Sequence, residues 1–450
     1  MGRLFGTDGI RGVANEKLTV ELAVATGRAV AASLSKGQTK KTILLGMDTR
    51  ASSDMLASAL SAGILSVGCD VIWLGVVPTP AVAYLTRRYK ARAGIMISAS
   101  HNPYEFNGIK VFNGDGFKLP DELEENIESI VLGETPEPKC ASGAKIGRLI
   151  HKPEALEEYI AFLRSTIEGD LSGLRVAFDC ANGSASMTAE RLFSALGVQC
   201  AMLSCTPDGT NINAACGSTH LENLTAYVRA NGFDIGIAFD GDADRVLCVD
   251  GTGEVVDGDM IMAILALDLK SRGMLRGDTV VGTIMSNYGF VKFCKENGIR
   301  FEATKVGDRY VLEEMLLEDY RFGGEQSGHI IFKDFATTGD GQLTAVQLLS
   351  HIKRSGKALC ELKRVMTKYP QFIVNIQTTD AAKLAFYTDD EIQAILEDGR
   401  KKLEATGRLV VRPSGTEPLI RVMAEGEDNA LTEAVAKKVA ELLAKRLAQY

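Results

Sequence analysis

The stretch Arg175-Val-Ala-Phe-Asp179, followed by Ala181-Asn-Gly183, an amphipathic run to Leu196, Gly197 and an apolar run over 198–203, decides the fold. Strand, small polar turn, helix, glycine and second strand form one unit, which reads as a right-handed crossover between parallel strands. The same plan occurs twice more. Upstream it runs from 42–45 through Asp48-Thr49-Arg50 and a helix to 66, then Gly68 and a strand over 71–74. Downstream it runs from Thr279-Val-Val through Ser286-Asn-Tyr-Gly289 and a helix to 296, then Gly298 and a strand over 299–303.

From about 370 onward the pattern changes. Runs over 372–376, 408–412 and 419–424 read as strands, and Leu431, Val435, Val439, Leu442 and Leu443 form one stripe of a closing helix from about 430. Polar stretches at 134–142, 250–259 and 367–370 divide the chain into 1–150, 151–255, 256–369 and 370–450. The expected architecture is α/β: three related mixed-sheet α/β domains plus a smaller C-terminal α+β domain around a central cleft.

Composition agrees with such an enzyme. The 450 residues exceed one ordinary core and suit three or four units of ~100 residues. With 46% hydrophobic and 24% charged residues, there is material for cores and no mark of wholesale disorder. The 45 glycines exceed the usual ~7% and predict several loops that approach a ligand closely. A net charge of −8 argues against gripping nucleic acid, which demands a broad basic surface. No apolar run approaches the ~20 residues of a membrane span, the first residues lack a signal-type apolar region, and Gly6 removes a myristoylation reading of Gly2. Nine scattered cysteines, never spaced C-x-x-C, suggest neither a disulfide framework nor a zinc site, and a cytoplasmic location is expected.

Four segments carry chemistry. In Asp240-Gly-Asp242-Ala-Asp244-Arg245, which follows an apolar strand, carboxylates at i, i+2 and i+4 would share one face of near-extended backbone and converge. Their repulsion calls for a hard divalent cation, and Mg²⁺ suits few carboxylates with open positions. The calcium-loop alternative fails, because its sixth and twelfth places hold Arg245 and Gly251. In Ser98-Ala-Ser100-His101-Asn102-Pro103, at the end of an apolar strand, a serine can project into the crevice where α/β sheets bind ligands. His101 and Lys110 would supply positive charge there. Gly323-Gly-Glu325-Gln326-Ser327-Gly-His329 offers donors and acceptors for sugar hydroxyls, and Arg412-Pro-Ser414-Gly415-Thr416-Glu-Pro418, with Arg421 on the next strand, offers a phosphate cradle. No Walker or dinucleotide fingerprint is present.

In this order, together with Met1-Gly-Arg-Leu-Phe-Gly-Thr-Asp-Gly-Ile-Arg11-Gly12, these segments closely resemble the α-D-phosphohexomutase family over essentially the whole chain. Gln326 points to the glucosamine-phosphate branch, since enzymes acting on mannose and glucose phosphates usually carry Met there. The resemblance implies interconversion of glucosamine 6-phosphate and glucosamine 1-phosphate through glucosamine 1,6-bisphosphate, on the route to UDP-N-acetylglucosamine and the cell wall. It implies a phosphoserine-loop domain over 1–150, a metal-binding domain over 151–255, a sugar-loop domain over 256–369 and a phosphate-binding domain over 370–450. By the same resemblance Ser100 is phosphorylated, and its phosphate joins Asp240, Asp242 and Asp244 around Mg²⁺. Arg11, Lys110 and Arg245 are supporting cations, and His101, Lys110 and His329 are the candidates for general acid and base. Glu325 and Ser327 would read sugar hydroxyls, and Lys305 and Arg309 would add phosphate or sugar contacts. Arg412, Ser414, Gly415, Thr416 and Arg421 would hold the phosphate that is not reacting. The family further suggests a homodimer whose only other partner is a small phosphosugar, with no nucleic acid and no membrane. Rival readings are a phosphomannomutase or phosphoglucomutase, a non-catalytic sugar-phosphate sensor, and a metal phosphatase.

Overall fold

The structure is a computed structural model that describes residues 3–6, 8–35, 41–404, 406–414 and 418–450. The chain forms two compact units, one comprising the chain up to Met285 with Ile299–Val365, the other Ser286–Gly298 with Met366–Tyr450.

The first unit holds three mixed sheets. The largest has seven strands in the order Phe5–Gly6, Gly9–Val13, Phe106–Asn113, Ala93–Ile97, Thr42–Met47, Asp70–Val76, Leu149–His151. The expected crossover is present: Thr42–Met47 and Asp70–Val76 pair in parallel, joined by the helix Ala51–Ser66. The central strands Thr42–Met47 and Ala93–Ile97 are buried at every position, as strands covered on both faces must be. Two helices, Val20–Ser35 and Ala51–Ser66, pack Ala29, Val30, Leu56 and Leu60 into one apolar cluster with Ile43, Leu45, Val71 and Ile95 of the sheet.

The second sheet has the order Val255–Val256, Val246–Asp250, Ile235–Phe239, Arg175–Asp179, Gln199–Leu203. Its parallel pair Arg175–Asp179 and Gln199–Leu203 is the unit read first from the sequence. The third sheet has the order Arg300–Thr304, Thr279–Thr283, Phe322–Gly324, Ile330–Phe332, again with a parallel first pair.

In the second unit three antiparallel strands lie in the order Gln371–Gln377, Leu419–Gly426, Gly407–Pro413. The closing helix is Asn429–Leu447, capped by Asp428, whose side chain accepts from Leu431 N. Its buried stripe is Thr432, Val435, Ala436, Val439, Ala440, Leu443 and Leu447. Leu431, expected on that stripe, is exposed, because in the first turn it stands off the face that meets the sheet. The helix Tyr288–Glu296, which connects two parallel strands of the third sheet, contributes to this second unit. Glu425, fully buried, draws the second unit together by accepting from Asn287 Nδ2 at 3.1 Å, Tyr288 N at 3.2 Å, Gln371 Nε2 at 3.0 Å and Arg408 Nε at 2.7 Å. Among the described residues, no helix is long and apolar enough to cross a membrane.

Candidate active site

The buried strand Ala93–Ile97 runs into Ser98, whose Oγ accepts from Ser100 N at 2.9 Å. Ser100 then turns into the left-handed region with φ +54°. Its hydroxyl is buried and donates to Asp240 Oδ2 at 2.6 Å, across 140 residues of sequence. His101 Nδ1 stands 3.5 Å from the same Oγ. Burial, reinforced by the charges of Arg245 and Arg11, pushes the His101 ring down to about 4, so at neutral pH it is an uncharged proton acceptor.

The three aspartates converge, but not by the extended backbone expected from their spacing. The strand Ile235–Phe239 ends before Asp240, and the chain turns through Ala243 at φ +58° before resuming as Val246–Asp250 antiparallel to it. A tight turn gathers the carboxylates from one short arc, whereas an extended segment would spread them along a line. One oxygen from each of Asp240, Asp242 and Asp244 lies within 4.8 Å of the others, and all three residues are buried.

The cluster is electrostatically unfinished. Burial and its two neighbours drive Asp240 well above the usual carboxylate range, whereas Asp244, despite burial, is held far below it by Lys110, His329 and Arg245. Asp242 Oδ1 and Asp244 Oδ1 are buried with no hydrogen-bond partner. Unpaired carboxylate lone pairs facing one point suit a hard cation, so the residues present fit a divalent metal. Thr79 orients the middle ligand: its Oγ1 donates to Asp242 Oδ2 at 2.5 Å and its backbone N to Asp242 O at 2.9 Å, at the start of the helix Thr79–Arg88.

Cations surround the carboxylates. Lys110, on the strand Phe106–Asn113, puts Nζ 2.8 Å from Asp242, 3.0 Å from Asp8 and 3.5 Å from Asp244. Burial opposes its charge, but these three carboxylates hold its pKa well above the ordinary ammonium range. Asp8 also pairs with Arg11 and with Lys118 at 2.6 Å, and Lys118 continues to Asp308 at 2.5 Å. Arg245 reaches Asp244 at 3.9 Å through Nε, and its backbone N donates to Asp240 Oδ1 at 3.2 Å.

His329 is buried between Asp244 at 3.7 Å and Asp308 at 3.4 Å, with Gly339 N donating to its Nε2 at 2.9 Å. The loop before it, from Glu325, is a hairpin turn between Phe322–Gly324 and Ile330–Phe332. That loop seats on the aspartate turn: Gly328, at φ +90°, accepts from Val246 N at 3.1 Å through its carbonyl, and a Cβ on it would lie 2.2 Å from Val246 O. Glu325 Oε1 accepts from Gly307 N at 3.1 Å, burial pushes its carboxyl up, and Ser327 Oγ is buried without a partner. Polar atoms so placed are ready for a hydroxylated ligand.

Two expected contacts sit differently. Arg309 is engaged by Asp121 at 2.5 Å, Glu124 at 3.5 Å and Glu313 at 3.0 Å, while its neighbour Asp308 joins the cluster. Lys305 is exposed, its Nζ 5.7 Å from the Tyr310 ring centroid. In the second unit Arg412 and Arg421 face each other in register on adjacent antiparallel strands, and Lys383 Nζ donates to Ser414 O at 3.0 Å. Arg412 Nε is buried without a partner, and burial beside Arg421 lowers the pKa of Arg412. Gly415 and Thr416 lie outside the described residues.

Models of the phosphoglucomutase/phosphomannomutase alpha/beta/alpha domains I, II and III match residues 2–137, 157–253 and 257–369, and that of the C-terminal domain matches 373–442. The chain belongs to the phosphoglucomutase/phosphomannomutase family.

Within that family it is 51% identical over 448 residues to the phosphoglucosamine mutase of Clostridium botulinum, covering 99% of this chain and 100% of that protein. It is 52% identical over 449 residues to that of Ruminiclostridium cellulolyticum, with the same coverage. Among solved structures it shares its fold with a family protein from Burkholderia thailandensis at 23% identity and TM-score 0.82, covering 98% of this chain and 96% of that one. Aspergillus fumigatus N-acetylphosphoglucosamine mutase, solved with GlcNAc-6P and magnesium, matches at 16% identity and TM-score 0.70, covering 99% and 96%.

Several residues of this family member's cluster were not singled out from sequence: Asp8, Thr79, Lys118 and Asp308. Asp8 lies inside the Met1 to Gly12 motif, three residues before Arg11, and Asp308 directly precedes Arg309, so an acid close to a recognised Arg is the available signal in each. Thr79 and Lys118 carried none, since only the folded chain brings them to the carboxylates.

Proposed function

We propose that the chain is a phosphoglucosamine mutase, interconverting glucosamine 6-phosphate and glucosamine 1-phosphate through a phosphoserine at Ser100. The observation that carries this is the buried Ser100 hydroxyl, in a left-handed turn, donating at 2.6 Å into the three-carboxylate cluster. The full-length similarity to phosphoglucosamine mutases supports the choice of an amino-sugar phosphate. Asp240, Asp242 and Asp244 would hold Mg²⁺, which supplies charge neutralisation at the transferring phosphoryl group.

In the forward half-reaction the bond from phosphorus to Ser100 Oγ breaks as one forms to the free sugar hydroxyl, yielding glucosamine 1,6-bisphosphate. The hydroxyl's proton leaves as the bond to phosphorus forms and Ser100 Oγ gains one as its own bond breaks; His101, neutral and beside Oγ, is the residue placed to carry that proton from one oxygen to the other. The bisphosphate turns end over end, and its other phosphate returns to Ser100 in the mirror-image step. Lys110 and Arg245 balance charge around the group in flight, while Glu325 and Ser327 read sugar hydroxyls in both orientations. The pair Arg412 and Arg421, with Ser414, Gly415 and Thr416, takes the non-reacting phosphate, and Lys305 adds a phosphate or sugar contact. Arg309, tied to three carboxylates, would have to leave them to do the same. The cytoplasmic location and the homodimer belong to this reading as well, the second checked by light scattering of the purified protein.

Incubation with Mg²⁺, glucosamine 6-phosphate and a trace of glucosamine 1,6-bisphosphate, followed by phosphorus NMR, tests it. Glucosamine 1-phosphate should appear with wild type and be lost with Ser100→Ala. Faster turnover of glucose or mannose phosphates would move the substrate assignment, and release of inorganic phosphate alone would replace the mutase by a phosphatase.

A further inference from the structure

We propose that Arg50 and Asn213 are positioning residues for phosphoryl transfer, holding the Ser100 loop in its left-handed turn and so fixing where Oγ stands against the metal carboxylates. The inference rests on Ser100 being the phosphoryl carrier.

A residue with a side chain persists at φ +54° only where its surroundings enforce it. Here the enforcement is visible. The carbonyl of Ser100 accepts from Arg50 Nη2 at 3.1 Å and from Asn213 Nδ2 at 2.9 Å. The carbonyl of Asn102 accepts from the same two groups, at 2.7 Å and 3.0 Å. A third carbonyl, that of Phe106, takes Arg50 Nε at 2.8 Å. One guanidinium thus laces the 100–106 loop at both ends, and one amide doubles the lacing at the turn itself. The donor assignment at Asn213 is settled by chemistry, since a flipped amide would set its oxygen against two carbonyls.

Arg50 is 2% exposed, and its charge is met by Asp48 at 3.3 Å, itself anchored by Arg50 N at 3.0 Å and Ser53 Oγ at 2.9 Å. A buried ion pair is a poor way to gain stability, and an apolar side chain would fill the volume more cheaply. What arginine supplies is a rigid fork of directed donors, matched to carbonyls that the turn has withdrawn from strand pairing.

Arg50 precedes the helix Ala51–Ser66 beside the first sheet, and Asn213 lies between Gln199–Leu203 and Glu222–Asn231 beside the second. The Ser100 carbonyl they share also touches the metal turn: a Cβ on Gly241 would lie 2.6 Å from it and 2.9 Å from Asn213 Nδ2. The clamp therefore ties the nucleophile loop to the carboxylate loop across two sheets. Through both half-reactions the Oγ must return to one place, and positioning is most of what a protein contributes to phosphoryl transfer.

The test uses the full chain and three variants: Asn213→Ala, Asn213→Asp and Arg50→Lys. Charging of Ser100 by glucosamine 1,6-bisphosphate is followed by intact mass, alongside kcat, KM and Tm. Asn213→Ala should charge more slowly by about 10- to 100-fold, with KM and Tm little changed, because neither clamp residue touches substrate. Asn213→Asp, which keeps the shape but turns an acceptor toward two carbonyls, should be at least as slow; a mere packing role predicts near-wild-type behaviour. Arg50→Lys, which keeps the charge beside Asp48 but loses the fork, should lose kcat and leave KM. If wild type charges and both Asn213 variants charge equally fast, or if rates fall only in step with the folded fraction, the clamp is overturned. If wild-type Ser100 is not charged at all, the mutase reading fails first and the clamp with it.

Discussion

Lys110 shows what one side chain does in this cluster. Its ammonium is 2% exposed and lies within 3.5 Å of three carboxylates, two of them candidate metal ligands. Because its folded pKa is raised, its stabilising contribution is present throughout the neutral range and is lost only as pH climbs past the ordinary lysine value. Lys110→Met strands those carboxylates, and we expect a loss of about 3–5 kcal/mol in metal-free protein by chemical denaturation. Added Mg²⁺ should restore part of it, so the Mg²⁺-induced rise in Tm should be larger in the variant than in wild type. Gly241→Ala works through the backbone instead, since its Cβ would press on Ser100 O at 2.6 Å. The expected result is kcat reduced at least about 10-fold with the secondary structure unchanged by circular dichroism.

At the scale of elements, the helix Gly341–Ser355 starts beside the metal turn, with Gly341 N donating to Ala243 O at 3.0 Å. Its cap, Asp340, accepts from Leu343 N at 2.9 Å and from Tyr159 Oη at 2.8 Å, yet burial still pushes its carboxyl up to about 6. The folded chain therefore binds this proton more tightly than the unfolded chain. Its contribution to stability is greatest at low pH and is lost as pH rises from about 4 to about 6. Asp340→Asn keeps the cap through Oδ1 and turns Nδ2 toward Tyr159 Oη, which then accepts instead of donating, without the buried charge. We expect it to be about 1–3 kcal/mol more stable than wild type above pH 6, with a flatter stability profile between pH 4 and 6 in urea titrations. Loss of stability at pH 7 would mean that the charged cap is needed.

On the scale of the molecule, one stretch of chain does not follow sequence order. Residues 286–298 leave the third sheet and join 366–450, where Asn287 meets Glu425 and Tyr369. A fragment of 366–450 alone therefore lacks an integral part of its own unit. Circular dichroism melts should show it without a cooperative transition, or far less stable than the corresponding unit in the intact chain. Supplying a 286–298 peptide in trans should raise its helical signal; a cooperative melt of the fragment alone would show that the inserted helix is dispensable.

Local patterns were sufficient for the strand–helix–strand units, the mixed α/β class, the serine at a strand end and the run of aspartates, because each depends on neighbours within a few residues. Even there one detail escaped: the aspartates meet through a left-handed turn at Ala243, a conformation that spacing alone does not reveal. What spacing could not carry was who meets whom. Ser100 finds Asp240, Arg50 finds the carbonyls of Ser100 and Asn102, Lys118 bridges Asp8 and Asp308, and Arg309 turns to Asp121 and Glu124. These partners lie tens to hundreds of residues apart, and charge attracts charge at any separation in sequence that packing brings close. Residue types wrote the chemistry that this chain can perform; the packing of its sheets chose which of those groups share one buried site, and so set their charges.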